Sequence, residues 1–222
     1  MLITLMLALT AIIGYIMGSV NGSIIVSRFL FGSDVRRQGS GNAGLTNFYR
    51  TYGITGIVGV IAIDVLKGVL GTLIGGLLLN LAAPAGFEAE FTDVGRLVAT
   101  FCVILGHVFP IFYGFKGGKG ILTGVSCVFV VDYHAALIAL VIFAIVVVAT
   151  HYVSLGSVLS TLSVPVTLLA NGFSGICMIL TIVSVALIVI KHAENISRLI
   201  HHKEPKISFK KDLSHKLDND GF

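Results

Sequence analysis

An all-α fold that crosses a membrane several times is what this 222-residue sequence predicts, and three observations predict it. Charged residues make up 12% of the chain against 55% hydrophobic ones, whereas soluble domains carry roughly a quarter charged residues. The mean hydropathy is +0.97. Apolar runs also recur from end to end, with no polar half that could form a second domain. These runs approach the ~20 residues a helix needs to span the hydrocarbon core. They are too long and too uniformly apolar for the alternating strands of a membrane barrel. A single seven-span membrane domain over 1–198 is therefore expected, followed by a basic polar tail, 199–222.

In chain order, the first span, 2–27, has no lysine or arginine ahead of it. It lacks a signal peptide's basic start and is expected to stay in the mature protein. The second, 54–81, carries one acid and one base, Asp64 and Lys67, in an otherwise apolar run. The third, 94–113, ends at a "VFP" kink after His107. The fourth (117–131) and sixth (155–170) are short, and the fifth (135–153) and seventh (175–190) complete the set. Arg28, Arg36, Arg37 and Arg50 follow the first span, and Lys116 and Lys119 follow the third. "THYVSLGS" follows the fifth, and Lys191, Arg198 and the tail follow the seventh. The alternate loops hold Glu88, Glu90 and Asp93, with Arg96 as the one nearby cation, then "VDYH" and "NGFS". The positive-inside bias puts the first set in the cytoplasm, with the amino terminus outside and the carboxyl terminus inside. Removing the short fourth span would move the Lys191 tail outside, against that charge pattern.

With this topology every unusual polar stretch reaches the cytoplasmic face: "GSGNAGLTNFYR", "GHVFPIFYGFKGGKG", "YVSLGS" and "KHAENISRL". Four distant segments on one face can build one pocket, and their chemistry points to an anion. Glycines let backbone N–H groups come close to an oxygen-rich ligand. "GFKGGKG" sets Gly114, Gly117, Gly118 and Gly120 around two lysines at the start of a helix, whose amino terminus is itself partly positive. Arg50 can grip a phosphate with two parallel hydrogen bonds, and Lys119 supplies a point charge. Ser40, Asn42, Thr46, Asn47, Ser154 and Asn195 add neutral donors. This is no nucleotide P-loop: glycine should stand six residues before the lysine and Ser or Thr after it, and Tyr113 and Gly120 stand there.

Other features read as structure. Gly71, Gly75 and Gly76 suit close helix packing. Arg36 and Arg37 suit topology and lipid headgroups. Asp64 and Lys67 are three apart and can pair on one helix face, although ions inside a membrane also mark functional sites. His107 is either a base or a support for the turn beside it. His192 and Asn195, also three apart, share a helix face. Cys102, Cys127 and Cys177 lie in apolar segments without disulfide or metal spacing and read as small hydrophobes. The net charge of +4 does not indicate a nucleic-acid partner, because in a membrane protein the position of charges matters more than their sum.

"SGNAGLTNFYR", "GHVFPIFYGFKGGKG" and "KHAENISRL" together resemble three motifs of the bacterial acyl-phosphate-dependent glycerol-3-phosphate acyltransferases, the PlsY family. The resemblance runs from about Gly18 to Arg198 and includes Gly18–Ser19, "IDVLKG" and "YVSL". It implies transfer of an acyl group from a fatty acyl phosphate to the 1-hydroxyl of glycerol 3-phosphate. The products are lysophosphatidate and phosphate, at the start of phospholipid synthesis. It implies a monomer in the bacterial cell membrane whose active site faces the cytoplasm, with membrane lipid around it and no cofactor. By the same resemblance Ser40, Asn47 and Arg50 contact substrate phosphate, and Gly117, Gly118 and Lys119 lie at a phosphoryl group. Ser154, His192 and Asn195 are positioning and catalytic candidates, and Glu194 is structural. Two departures stand out: Ala193 replaces the family's usual arginine, and Asn21 stands where proline is frequent. The tail after Arg198 lies outside the resemblance and is expected to be disordered or surface-bound.

Two chemical schemes follow. Either the hydroxyl attacks directly, with His192 or a substrate phosphate oxygen taking its proton, or Ser154 or Ser40 forms an acyl-enzyme with His192 as base. Direct transfer is preferred, since no carboxylate is placed in the sequence to complete a Ser-His-Asp set. Metal catalysis is not expected, because the polar face brings no cluster of carboxylates. A transporter with a broken helix at "GFKGGKG" is the rival from another class, and an acyl-CoA donor is the rival within this one.

Overall fold

The computed structural model describes residues 1–207. Among these the chain forms α1 (Leu2–Ser19), α2 (Gly22–Phe31), α3 (Leu45–Tyr52), α4 (Ile57–Asn80) and α5 (Glu88–Val108). These are followed by α6 (Ile121–Val131), α7 (Tyr133–Thr150), α8 (Val153–Ala170), α9 (Gly175–Lys191) and α10 (Ala193–Ile200), with no strand among the described residues. By length and composition five stretches can cross a membrane: α1 with α2, then α4, α5 (extended to Tyr113), α7 and α8. A sixth is α9 with α10 if that pair, bent by 56°, is one span. All seven expected segments are helical, but α6 has only 11 residues, about 16 Å at the helical rise. That falls short of the ~30 Å hydrocarbon core. Large apolar side chains such as Ile12, Leu66, Ile145, Val148 and Ile179 point outward, as a lipid-facing surface requires.

The expected first span is broken. α1 stops at Ser19 and α2 starts at Gly22, because Asn21 turns its side chain back to cap α2 and accepts from the Ile24 N–H at 3.0 Å. A break inside the bundle strands a carbonyl at one helix end and an N–H at the other. Asp64 and Lys67 on α4 resolve both. Lys67 Nζ donates to the Val20 carbonyl at 2.6 Å, and the Gly22 N–H donates to Asp64 Oδ1 at 3.1 Å. The two side chains pair at 2.8 Å, nearly out of solvent. Each charge also matches its helix end, cation at a C-terminus and anion at an N-terminus.

α1, α4 and α5 pack on one another as a close trio. A Cβ on Gly75 would lie 2.6 Å from the Gly95 carbonyl oxygen, so these backbones touch as only glycine allows. Gly71 and Gly76 face α5 in the same way. On the other side α5 packs on α6, α6 on α7, α7 on α8, α8 on α9 and α9 on α5, closing a five-helix ring. Leu97, Val131, Ala135, Ala139, Val164, Leu168 and Cys177, contributed by all five helices, form an apolar plug at one end of it.

Residues 199–207, in the tail expected to be disordered or surface-bound, run along the surface with Glu204 buried. α10 continues to Ile200. The next turn leads into a strap whose Ile207 N–H donates to the His151 carbonyl at 2.9 Å. Glu204 anchors that strap in the protein interior. The rest of the expected tail, 208–222, lies outside the described residues.

Candidate active site

The ring's other end is where the polar loops converge. The chain between α2 and α3 is held by Asn47, which is buried. Its Nδ2 donates to the carbonyls of Val35, Gln38 and Asn42 at 3.0–3.2 Å, and its Oδ1 accepts the Ser40 N–H at 2.9 Å. These bonds occupy the amide, so Asn47 shapes the loop. Arg36 clamps the same loop to the next one. Its guanidinium pairs with Asp34 at 2.8 Å and donates to the carbonyls of Tyr113 and Lys116 at 2.6 and 3.1 Å. The Arg36 guanidinium holds the Asp34 carboxyl well below the usual carboxylate range. Arg36, expected at lipid headgroups, is thus spent inside the protein.

In "GFKGGKG" the Gly117 N–H donates to the Val108 carbonyl and the Gly118 N–H to that of His107, at 3.2 and 3.1 Å. A Cβ on Gly118 would press into the His107 ring and sit 2.9 Å from the Ala43 carbonyl oxygen. Gly118 lets two loops touch, Gly117 lets its loop fold back onto the end of α5, and neither lines the cavity. His107 Nδ1 accepts from Lys67 at 2.8 Å. An ammonium can only donate, so His107 is neutral there and is no ion-pair partner of Asp64, 3.8 Å away. It supports the turn.

One cavity of about 630 Å³ collects the remaining residues. Ser40, Asn47, Arg50, Lys119, Ser154, His192 and Asn195 all border it, with Asn42, Thr46 and Arg198. Lys119 donates to Asn195 Oδ1. Burial, then the Arg198 cation, pushes the Lys119 ammonium below its usual range, against the opposing pull of Glu204 and Glu194. His192 is buried at the α9–α10 bend, and its Nδ1 lies 2.8 Å from the Ile188 carbonyl. A carbonyl only accepts, so Nδ1 carries the proton, and a neutral ring keeps a bare lone pair on Nε2. Ser154 Oγ is buried without a hydrogen bond of normal geometry. It is still near enough to the Glu204 carboxylate to favour that group's charge.

Glu204 is the site residue that sequence reasoning missed. Its Oε1 accepts from Asn195 Nδ2 at 2.7 Å, and its Oε2 accepts from Arg198 Nε at 2.8 Å. Burial raises its carboxyl, but Arg198 and Asn195, with Ser154, outweigh that and leave it below the usual range. The next residue, Pro205, accepts from Arg50 at 3.2 Å. The strap therefore ties α3, α10 and the α7–α8 turn across the cavity mouth. The sequence's only signal was a glutamate-proline pair in an otherwise basic segment.

A helical membrane bundle with a cation-rich mouth on an apolar interior defines an integral membrane protein whose site lies at a polar–apolar boundary. Comparison with known proteins narrows the class. The family model described as glycerol-3-phosphate acyltransferase matches residues 8–202. A glycerol-3-phosphate acyltransferase of Thermoanaerobacter sp. (strain X514) is 39% identical over 207 residues, 92% of this chain and 98% of that one. One from Clostridioides difficile (strain 630) is 36% identical, covering 91% and 96%. The crystal structure of PlsY (YgiH), an integral membrane glycerol 3-phosphate acyltransferase, in its glycerol 3-phosphate form superposes with a TM-score of 0.78. It shares 33% identity and covers 91% of this chain and 96% of that one. Its lysophosphatidic acid form gives 0.76 at 31% identity, covering 91% and 95%. The chain belongs to the glycerol-3-phosphate acyltransferase family of PlsY type.

Proposed function

We propose that this protein moves a fatty acyl group from an acyl phosphate to the 1-hydroxyl of glycerol 3-phosphate, forming lysophosphatidate and inorganic phosphate. One observation carries the reading: a single cavity joins Arg50, Lys119 and Arg198 at its mouth to a long apolar interior. Both substrates bring phosphate, and one brings a hydrocarbon chain. The names of the relatives, and the two ligand forms of the related structure, support the acceptor and the product. We place the protein in a bacterial cell membrane as a seven-span monomer, with its mouth toward the cytoplasm. In that arrangement α6 is a short fourth crossing, and the glycine loop before it, with Lys119, stays at the mouth.

Arg50 and Lys119 hold substrate phosphate as charged donors, with the Ser40 and Thr46 hydroxyls beside them. Asn195, bonded to Lys119 and Glu204, fixes the ammonium. His192 Nε2 takes the proton as the glycerol oxygen attacks the acyl carbon. The carbon–oxygen bond to phosphate then breaks, and phosphate leaves with the electron pair. An acyl phosphate is a mixed anhydride with a good leaving group, so orientation and oxyanion charge are the main barriers. Direct transfer is favoured over an acyl-enzyme because Ser154 makes no hydrogen bond to His192, whereas an activated serine needs its base within reach.

The test is acyl transfer by purified protein, offered glycerol 3-phosphate with palmitoyl phosphate or palmitoyl-CoA, beside Arg50→Ala and His192→Ala. Lysophosphatidate from the acyl phosphate alone, lost in both variants, is expected. Product from the CoA ester alone overturns the donor, and no product from either overturns the reading.

A further inference from the structure

Past its polar mouth the cavity follows the inside of the five-helix ring. On α8 it touches Ser154, Ser157, Thr161, Val164 and Leu168, a stripe at helical spacing along one face. Similar stripes run down α6 from Gly120 to Val131 and along α9 from His192 back to Thr181. Several hydroxyls along this wall are already spent on their own helices. Ser157, Thr181 and Ser184 donate to carbonyls of their own helices at 2.8–2.9 Å. What faces the space is mostly hydrocarbon. The far end meets the apolar plug, where Leu97, Val131, Ala139, Val164 and Leu168 both border the cavity and pack together.

We propose that Val131, Ala139 and Leu168 form the blind end of a ruler that sets the length of acyl chain the enzyme accepts. This rests on the fatty acyl donor proposed above. Fourteen residues separate Ser154 from Leu168, and at the helical rise that is about 21 Å. A saturated chain with carbon–carbon bonds of ~1.5 Å advances roughly 1.3 Å per carbon along its zigzag, so about 16 carbons fill that depth. Ala139 is the smallest side chain in the plug that borders the cavity, and Leu168 is the deepest on α8. A larger residue at the first shortens the space; a smaller one at the second extends it.

The experiment offers acyl phosphates of 12, 14, 16 and 18 carbons to wild type, Ala139→Leu and Leu168→Ala, and reads kcat/KM for each length. The same four compounds are also titrated without glycerol 3-phosphate, reading the rise in thermal midpoint. Wild type should peak near 16 carbons. Ala139→Leu should move the peak down by at least two carbons and keep the 12-carbon rate within about twofold. Leu168→Ala should move it up by about two. Val131→Met carries the same prediction as Ala139→Leu should that variant not fold. A flat wild-type profile, or variants that lose all lengths alike, overturns the ruler. If no length is transferred but the midpoints still follow chain length as described, the transfer reading falls and the ruler stands.

Discussion

Asp64→Ala should be among the most destabilising single changes in this protein, and the reason is the broken helix it caps. Asp64 and Lys67 are 1% and 5% exposed, and Lys67 distributes its three donors among Asp64, the Val20 carbonyl and His107. Removing the carboxylate leaves a buried cation without its anion and the Gly22 N–H without an acceptor. Breaking a buried pair from one side costs about 3–5 kcal/mol. For a chain of this size that lowers the thermal midpoint by roughly 6–20 °C. The double variant Asp64→Leu, Lys67→Met removes the unpaired charge but strands both the Gly22 N–H and the Val20 carbonyl, so it should stay well below wild type. The sequence has no tryptophan but three cysteines, all buried. A thiol-reactive fluorophore in detergent therefore reports unfolding directly. A midpoint for Asp64→Ala within about 2 °C of wild type refutes the capping argument. So does a double variant as stable as wild type.

Glu204→Ala should lower kcat/KM for glycerol 3-phosphate about tenfold, near the lower end of what a charge-assisted hydrogen bond contributes. Glu204→Asp should restore part of it, and equal activity in all three proteins would leave the strap without a role. Gly118→Ala forces a Cβ against His107 and the Ala43 carbonyl and should destabilise by about 1–3 kcal/mol, read by the same fluorophore. The Lys119 ammonium titrates below the ordinary lysine range, so activity should fall on the alkaline side earlier than an exposed lysine would allow. Lys119→Arg should remove that limb of the pH–rate profile. The Glu204 carboxyl lies below its ordinary value. Its contribution to strap stability is therefore present above the usual glutamate range and lost as pH falls below it, which amide exchange at 203–207 reads.

Hydropathy made the apolar segments legible because it reports the solvent around a helix, and the solvent is the strongest constraint in a membrane. It says nothing about which helix lies beside which. The break at Val20–Asn21 left one polar residue as its trace, since the groups that make the break tolerable stand more than forty positions away on α4. α3 leaves no hydropathy signal: its eight residues hold no membrane-length apolar run, and it is fixed by contacts such as the stacked rings of Phe31 and Tyr52, 4.2 Å apart. At the site, residue type indicated an anion but did not separate residues that face the cavity from residues that build it. Asn47 and Arg50 sit one turn apart on α3 and both border the cavity, yet the Asn47 amide is consumed by backbone groups. Glycine is ambiguous in the same way, because a position that admits a ligand's oxygen also admits a neighbouring carbonyl. Gly117 and Gly118 took the carbonyls.

The placement of charge ties these parts together. Arg50, Lys119 and Arg198 converge where the ring opens, and the Glu204 carboxylate borders the cavity beside them. Like charges held this close repel unless an anion joins them; burial and the Arg198 cation already weaken the Lys119 ammonium. Glu204 and Glu194 both pair with Arg198 and offset part of that charge, and a phosphate would meet what remains at Arg50 and Lys119. Ser154 Oγ has no hydrogen-bond partner of normal geometry at this mouth, so a polar ligand finds a group still to be satisfied. Directly behind, Ile104, Ile121 and Ile188 begin the apolar wall. Within the proposed reaction, a chain seated along that wall would bring its carbonyl to the end of the cavity that holds Arg50, Lys119 and the His192 lone pair.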